Sequence, residues 1–243
     1  MNNKKIILVT GTSRGLGLQI VKELAQHDYI IIASSRKKSL QIEELIKKSP
    51  EKIFFEELDL INTNNIRKFI NTINEKYGKL YGLINNAAVG RDGILATMHE
   101  TEINETLRVN IEAPILLSKY SSRMMLLNGE GRIINISSII ANTGFNGLSV
   151  YAASKSSLIG FTKSLSRELG KAKITVNAIC PGYMQTEMTS GIDQTKLDQI
   201  KRRSPMKKLI TPRDIIGILV YLLSPDAQLV TGATFTIDAG STA

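Results

Sequence analysis

Short, continuously apolar segments alternate along the chain with longer segments in which apolar residues recur every three or four positions. The short segments, such as IILV and YIIIA, are typical of strands buried on both faces. Strands are predicted at Lys5–Thr10, Tyr29–Ser34, Ile53–Leu58, Leu80–Asn85, Arg132–Ser137, Thr175–Ile179 and Thr234–Asp238. Helices are predicted at Leu16–His27, Leu40–Lys48, Asn64–Tyr77, Thr101–Leu127, Ala152–Gly170 and Pro212–Leu223. This alternation predicts an α/β fold, with a doubly wound, seven-stranded parallel sheet and helices on both faces, in one domain over residues 1–243.

Residues Tyr183–Leu209 interrupt the alternation after the sixth strand, and only the stretch QTKLDQIKRR within them has a weak helical pattern. A segment that follows the carboxyl end of a strand lies where ligands bind in open α/β sheets. Residues 183–209 are therefore either a substrate lid or a surface insertion that the fold tolerates.

The composition is that of an ordinary globular protein, since 42% of the 243 residues are hydrophobic and 22% are charged. The longest apolar run, Ile215–Leu223, is too short to cross a bilayer, and no secretory signal pattern is present, so no membrane association is expected. The one cysteine, Cys180, excludes an internal disulfide bond, fits a cytoplasmic location and lies in an apolar run that predicts burial. His27 and His99 have no metal-ligand spacing, so no metal site is expected.

The formal net charge of the chain is +9. This charge is compatible with a solvated basic surface, with a nucleic-acid partner, or with an acidic protein or substrate. No nucleic-acid-binding motif is present, and aromatic residues amount to only 5%. No nucleic-acid partner is therefore expected.

A glycine-rich segment, TGTSRGLG, joins the first predicted strand to the first helix and contains Gly11, Gly15 and Gly17. Glycines at this point allow a tight turn and let backbone N–H groups approach a pyrophosphate closely. The spacing is not G-x-G-x-x-G, and the segment lacks the Gly-Lys-Ser/Thr of a nucleoside triphosphate loop. Its position after the first strand favours dinucleotide binding over a simple tight turn, and it predicts a Rossmann-type fold.

The end of the second strand indicates which dinucleotide is bound. An NAD site usually places an acid there for the ribose hydroxyls, whereas an NADP site places a cation there for the 2′-phosphate. Here Ser35 is followed by Arg36, Lys37 and Lys38, and Arg14 lies in the glycine loop. Solvated charge explains the two lysines, while guanidinium groups suit bidentate phosphate contacts. Arg14 and Arg36 therefore favour NADP.

Tyr151 and Lys155 lie four residues apart and share one face of a helix. Such a pair is either a surface contact or part of a small polar site. An ammonium group about 4 Å from a phenol, at an effective dielectric constant of about 20, favours the phenolate by about 4 kcal/mol, or roughly three pKa units. If the pair is functional, we expect Lys155 to lower the pKa of Tyr151.

With these segments in place, the chain resembles the short-chain dehydrogenase/reductases over essentially its whole length. The matching motifs are TGTSRGLG (Thr10–Gly17), NNAA (Asn85–Ala88, where the family has Asn-Asn-Ala-Gly), LRVN with Asn110, INISS with Ser138, Tyr151 with Lys155, and Pro181–Gly182. The resemblance implies a nicotinamide-dependent oxidoreductase with the catalytic set Asn110, Ser138, Tyr151 and Lys155. On residue type alone, Ser138 could simply end a strand, and Asn110 could be a polar residue of a helix interior.

The resemblance also implies a role for each member of this set. Tyr151 would exchange the proton, and Lys155 would hold the nicotinamide ribose. Ser138 would bind the substrate oxygen, and Asn110 would hold a water that links Lys155 to solvent.

The resemblance further implies the residues that contact the cofactor. Asp59 would lie beside the adenine ring, and Thr186 would meet the nicotinamide carboxamide. The full expected set is Gly11, Ser13, Arg14, Gly15, Leu16, Gly17, Ser35, Arg36, Asp59, Leu60, Asn86, Ala87, Tyr151, Lys155, Pro181, Gly182, Met184 and Thr186.

Within the family the chain is most similar to 3-oxoacyl-[acyl-carrier-protein] reductases, in RDGIL (Arg91–Leu95), GRIINISS and YAASKSSLIGFTKSLSRE. This likeness implies NADPH-dependent reduction of a 3-oxoacyl thioester in fatty acid synthesis. Sugar, steroid and polyol dehydrogenases share much of this framework, so a sugar, a steroid or a small secondary alcohol remains an alternative substrate. A third possibility is a non-catalytic, cofactor-binding regulator, against which the intact catalytic set argues.

The resemblance implies two kinds of macromolecular contact. One is a homotetramer, with Pro212–Gly240 in one interface and Thr101–Leu127 with Ala152–Gly170 in another. The other is an acyl carrier protein, which is acidic and would meet basic residues near the active site. The candidate basic residues are Lys171, Lys173, Lys201, Arg202 and Arg203, for which ordinary solvated charge is the alternative.

Overall fold

The predicted α/β architecture with a seven-stranded parallel sheet is confirmed in the computed structural model, which describes residues 4–184 and 194–243. The strands are β1 (Lys5–Thr10), β2 (Tyr29–Ser35), β3 (Ile53–Glu57), β4 (Leu80–Asn85), β5 (Gly131–Ile136), β6 (Ile174–Pro181) and β7 (Thr234–Ile237). The helices are α1 (Gly15–Leu24), α2 (Leu40–Lys48), α3 (Ile66–Tyr77), α4 (Glu100–Leu107), α5 (Ala113–Asn128), α6 (Ile140–Thr143), α7 (Ser149–Leu169), α8 (Gln194–Arg203) and α9 (Pro212–Leu223).

The strands lie in the order β3-β2-β1-β4-β5-β6-β7, and every neighbouring pair is parallel. The chain winds outward from β1 in one direction and then restarts at β4 on the other side. The carboxyl ends of β1 and β4 therefore border the crevice in which ligands bind in open α/β sheets.

A hydrophobic core lies on each face of the sheet. In β1, Ile7 and Val9 face the core under α1, α2 and α9, whereas Ile6 and Leu8 face the core under α3, α5 and α7. Because successive side chains of a strand point to opposite faces, a strand between two helical layers must be apolar at every position. This requirement explains the continuous apolar runs of the sequence.

One predicted helix, Thr101–Leu127, is interrupted in the structure. Residues Arg108–Glu112 form a π-helical turn between α4 and α5, and Val109 and Asn110 within it are buried. A single π turn inside an α-helix is frequent at functional sites. The spacing of apolar residues did not indicate the π turn, because its one extra residue rotates the buried face of the helix by less than half a turn.

The excursion after β6 is described only in part. Met184 forms an isolated parallel bridge with Ile210, and α8 confirms the weak helical pattern at residues 194–203. A lid over residues 183–209 remains a prediction, because residues 185–193 lie outside the described ranges. Over the residues that are described, no helix is long and apolar enough to cross a membrane.

Candidate active site

The glycine loop forms a close-packed cradle at the end of β1. Gly11 has φ of +71°, and a Cβ atom on it would lie 2.7 Å from the Cα atom of Ala87. A Cβ atom on Gly17 would lie 2.1 Å from the carbonyl oxygen of Gly11. Neither position accommodates a side chain, so only glycine allows the loop to pack this closely on itself and on the segment after β4. Leu16, between Gly15 and Gly17, is buried and anchors the turn in the core.

The amino terminus of α1 is suited to an anion. The helix begins at Gly15 and has no acidic residue in its first turn, and the preceding residue, Arg14, makes no side-chain capping bond. The first N–H groups of a helix have no partners within the helix and carry partial positive charge. Together with the cradle, and with Ser13 half-buried beside it, these groups fit the pyrophosphate of a dinucleotide.

The end of β4 is tied to the end of β1. The hydroxyl of Thr10 accepts hydrogen bonds from the backbone N–H groups of Asn86 and Ala87, each at 3.1 Å. The side-chain amide of Asn86 donates back to the carbonyl of Thr10 at 2.8 Å and to that of Gly11 at 3.2 Å. These bonds hold the crevice between β1 and β4 at a fixed width.

At the far end of this crevice, Ser35 ends β2 and Arg36 is exposed directly after it. Asp59 accepts hydrogen bonds from the N–H group of Ile61 at 3.1 Å and from the side chain of Asn62 at 3.4 Å, next to buried Leu60. These positions agree with the expected adenosine end of a dinucleotide site.

One acid near the adenosine end was not anticipated from the sequence. Glu57 on β3 is exposed and lies in register with Ser35. No motif indicated it, because strand pairing and not sequence spacing brings it next to β2.

The structure brings Ser138, Tyr151 and Lys155 together at the carboxyl edge of the sheet. Ser138 lies two residues beyond β5, while Tyr151 and Lys155 lie on the first turns of α7. The Ser138 side chain lies close enough to the Tyr151 hydroxyl to lower its pKa through hydrogen bonding. The ammonium group of Lys155 lies 5.7 Å from the centre of the Tyr151 ring. Tyr151 and Lys155 therefore belong to one polar site and do not form a surface contact.

The expected lowering of the Tyr151 pKa by Lys155 is not found. Burial raises the pKa of Tyr151 to about 12, hydrogen bonding from Ser138 opposes this shift, and the charge of Asp92 adds to it. Lys155 directs its ammonium group instead to the carbonyl oxygen of Ile136, at 2.8 Å. The desolvation of the phenol therefore outweighs an ammonium group that points elsewhere.

Lys155 itself is 3% exposed, and burial lowers its pKa to about 8. The neighbouring thiol of Cys180 opposes this shift slightly. Cys180 is fully buried, as predicted, and burial raises the pKa of its thiol. Within the described ranges, no group of three or more His, Cys, Asp and Glu side chains could hold a metal ion.

Asn110 lies in the π turn and connects the segment after β4 to helix α7, which carries Tyr151 and Lys155. Its side-chain oxygen accepts from the N–H group of Val89 at 2.9 Å, and its amide donates to the carbonyl of Val89 at 2.8 Å and to the hydroxyl of Ser154 at 3.0 Å. The Ser154 hydroxyl donates to the carbonyl of Tyr151 at 2.7 Å. Both amide hydrogens of Asn110 are thus in use, and its expected water-holding role remains a prediction. Ser154 and Val89 carried no sequence signal.

The end of β6 closes the crevice on the side of Ser138. The N–H group of Ile139 donates to the carbonyl of Pro181 at 3.0 Å, which fixes the loop that carries Ser138. Gly182 packs so closely on β7 that a Cβ atom on it would lie 2.7 Å from the Cα atom of Asp238. Met184 follows at the same edge. Thr186 lies outside the described residues, so its expected contact with the carboxamide is untested.

The chain is similar to known proteins over nearly its whole length. Residues 11–242 match the family described as enoyl-(acyl carrier protein) reductase. The 3-oxoacyl-[acyl-carrier-protein] reductase FabG of Buchnera aphidicola is 37% identical over 98% of this chain and 97% of its own.

Two solved structures are similar over nearly the whole chain. A short-chain dehydrogenase/reductase variant of Serratia marcescens has a TM-score of 0.91 and 31% identity, with 98% of both chains covered. A putative NAD(P)-dependent gluconate 5-dehydrogenase of Beutenbergia cavernae, with bound NADP, has a TM-score of 0.93 and 27% identity, covering 98% of this chain and 96% of that one. The motifs, the geometry of the site and these similarities lead to one conclusion: the chain belongs to the short-chain dehydrogenase/reductase family of nicotinamide-dependent enzymes.

Proposed function

We propose that this protein uses NADPH to reduce the 3-oxo group of an acyl thioester carried by an acyl carrier protein, in fatty acid synthesis. The observation that carries the proposal is the convergence of Ser138, Tyr151 and Lys155 beside a glycine cradle at one edge of the sheet. The similarity to a 3-oxoacyl-[acyl-carrier-protein] reductase over 98% of the chain supports the substrate class.

The side chains suit proton delivery to a reduced ketone. The bound nicotinamide would supply a hydride to the carbonyl carbon. The phenol of Tyr151 is protonated near neutral pH, as an ordinary tyrosine is, and would give its proton to the developing alkoxide. Burial raises its pKa to about 12, which makes it a weaker acid until the cofactor and substrate are bound beside it. The Ser138 hydroxyl would donate a hydrogen bond to the same oxygen and stabilise its charge.

Lys155 would act beside Tyr151 without touching the substrate. Its ammonium group has three donors, of which one is directed to the carbonyl of Ile136. The remaining donors would hold the ribose hydroxyls of the cofactor. Lys155 would then orient the cofactor and supply positive charge near the phenol as its proton leaves.

The choice of NADPH over NADH rests on the cations at the adenosine end. Arg36 follows β2 directly, Arg14 precedes α1, and no acid stands at the end of β2 itself. A 2′-phosphate would gain charge-assisted contacts there. Glu57, in register with Ser35, would weaken this preference without reversing it, because one exposed carboxylate opposes two guanidinium groups.

A substrate panel tests the proposal. The oxidation of NADPH would be followed with an acetoacetyl thioester, a crotonyl thioester, a keto-sugar, a steroid ketone and a small ketone. We expect the acetoacetyl thioester to give the highest kcat/KM. The crotonyl thioester tests the double-bond reduction that the matching family description names. A higher kcat/KM with the keto-sugar or the steroid would favour the alternative substrates, and no turnover of any compound would favour the non-catalytic regulator.

We also propose that the protein is a cytoplasmic homotetramer. Apolar side chains are exposed on the helices expected at its interfaces: Leu107 on α4 and Ile115 on α5 are 37% and 38% exposed, and Tyr221 on α9 is 40% exposed. Leu229, between α9 and β7, is 91% exposed. Exposed apolar groups on these surfaces are consistent with contacts to further copies of the chain.

A further inference from the structure

Positive charge is concentrated between residues 194 and 214, in a part of the chain that the catalytic set does not use. This segment holds seven lysine and arginine residues and two aspartates. It therefore supplies more than half of the formal net charge of +9. The cations whose side chains the structure describes are Lys201, Arg202, Arg203, Lys207, Lys208 and Arg213.

These residues border a groove of about 490 Å³. We name it the basic groove, and its lining is Lys201, Lys207, Lys208, Leu209, Ile210 and Thr211. Lys207 and Lys208 are exposed, and Arg202 and Arg203 are exposed at the end of α8 beside them. The groove thus presents ammonium groups above a small aliphatic floor.

Among the residues that the structure describes, two aspartates offset part of this charge. Over the described part of the segment, the one ion pair joins Lys201 to Asp198 at 3.7 Å. The carboxylate of Asp214 accepts hydrogen bonds from the N–H group and hydroxyl of Thr211, at 2.7 and 2.8 Å, and these bonds lower its pKa. Asp214 is thus bound to the start of α9, and the charge of Lys208 also lowers its pKa, so Asp214 offsets part of the charge of Lys208.

The basic groove lies on the same edge of the sheet as the catalytic set. Ile210 in its floor pairs with Met184, which follows the carboxyl end of β6. The last residue of β6, Pro181, accepts from Ile139, the neighbour of Ser138. A partner seated in the groove would therefore stand beside the crevice that leads to Ser138 and Tyr151.

Lys171 and Lys173, by contrast, lie before the first residue of β6. An eight-residue strand separates them from the carboxyl edge, a distance of about 25 Å. Within one chain, these two lysines cannot meet a partner that delivers substrate to Tyr151 by a short path.

We infer that the basic groove is the docking surface for the acidic carrier protein that presents the thioester, an inference that rests on the proposed function. An acidic surface complements a cationic groove, and the attraction raises the rate of encounter. A nucleic acid is a poorer fit, because residues 194–214 contain no aromatic side chain on which bases could stack.

The test is a matched pair of charge reversals. Lys207→Glu with Lys208→Glu alters the groove, and Lys171→Glu with Lys173→Glu makes the same charge change at the opposite edge. The pairs are well matched, because Lys207 and Lys173 both have left-handed backbones, with φ of 54° and 58°. The substrates are an acetoacetyl-loaded acyl carrier protein and the uncharged acetoacetyl-N-acetylcysteamine.

At low salt we expect the groove variant to lose about tenfold or more in kcat/KM for the carrier-bound substrate. The small thioester should change by less than about twofold, and the control variant should resemble the unaltered protein with both substrates. Lys207→Gln with Lys208→Gln should give an intermediate loss, and high salt should reduce all these differences.

Three results would overturn the inference: an unchanged kcat/KM for the carrier-bound substrate in the groove variant, an equal loss for both substrates, or a selective loss confined to the Lys171 and Lys173 variant. Failure of the proposed function would give a different result, namely no turnover of either thioester by the unaltered protein. Even without turnover, the basic groove can be tested by binding. Fluorescence anisotropy would measure the affinity of the protein for labelled acyl carrier protein and for labelled single-stranded DNA. Tighter binding of the DNA, lost in the groove variant, would also contradict the inference.

Discussion

At the scale of single residues, the main feature of the site is that Tyr151 is a weaker acid than an ordinary tyrosine. Its pKa is raised to about 12, chiefly by burial. The i, i+4 spacing with Lys155 correctly predicted a shared site, but the direction of the pKa shift could not be predicted from spacing. That direction depends on the bond from Lys155 to the carbonyl of Ile136, a contact between segments 19 residues apart.

The buried ammonium group of Lys155 makes stability depend on pH. Its pKa is about 8 in the folded chain and 10.5 for an ordinary lysine. Between these values the unfolded chain binds the extra proton, so Lys155 alone should raise the free energy of unfolding with pH by roughly 1 to 3 kcal/mol. The raised pKa values of Cys180 and Tyr151 act in the opposite direction at the upper end of this interval, so the change is read as the difference from Lys155→Met. Urea unfolding at both ends of the interval measures this change. Lys155→Met should lack it, and an equal rise in both proteins would assign the effect to other groups.

Arg36 should determine much of the cofactor preference. Arg36→Ala removes an exposed guanidinium group from the end of β2, and we expect the preference for NADPH over NADH in kcat/KM to fall by about tenfold. Arg167→Ala, which removes an exposed arginine from the last turn of α7, is the control. Equal kcat/KM values for both cofactors in the unaltered protein would remove the basis of this prediction.

At the scale of elements, all seven strands were predicted, because burial on both faces requires apolar residues, although the bounds of β2, β3, β5, β6 and β7 differ by one or two residues. The predicted bounds of β1, β4, α2 and α9 agree with the structure. The π turn at Arg108–Glu112 was missed because it depends on the bonds from Asn110 to Val89 across the crevice. The four-residue helix α6 was missed because so short a segment has no periodicity.

The glycine cradle should tolerate no side chain. Gly17→Ala would place a Cβ atom 2.1 Å from the carbonyl oxygen of Gly11, and the loop must move to relieve the clash. We expect the Kd for NADPH to rise by more than about tenfold, together with a loss of a few kcal/mol in stability. Gly170→Ala is the control, since a Cβ atom there meets nothing within 4 Å. Titration of NADPH fluorescence measures both, and unchanged affinity in Gly17→Ala would contradict a pyrophosphate site here.

At the scale of the whole molecule, the exposed apolar residues of α4, α5 and α9 predict assembly. Light scattering at micromolar concentration should give a mass of roughly four times the 26.8 kDa of one chain. Leu229→Glu places a charge at a side chain that is 91% exposed, and it should lower this mass if β7 and α9 form an interface. A monomeric mass for the unaltered protein would contradict the tetramer.

The proposed ketone reduction depends on Tyr151 as the proton donor. The most direct test is the rate of NADPH oxidation with an acetoacetyl thioester, by the unaltered protein and by Tyr151→Phe, with Tyr221→Phe as the control. We predict that Tyr151→Phe lowers kcat by about 10²- to 10⁴-fold, since only the proton donor is lost. Its affinity for NADPH should be nearly unchanged, and Tyr221→Phe should behave as the unaltered protein. A near-normal kcat in Tyr151→Phe would contradict the account.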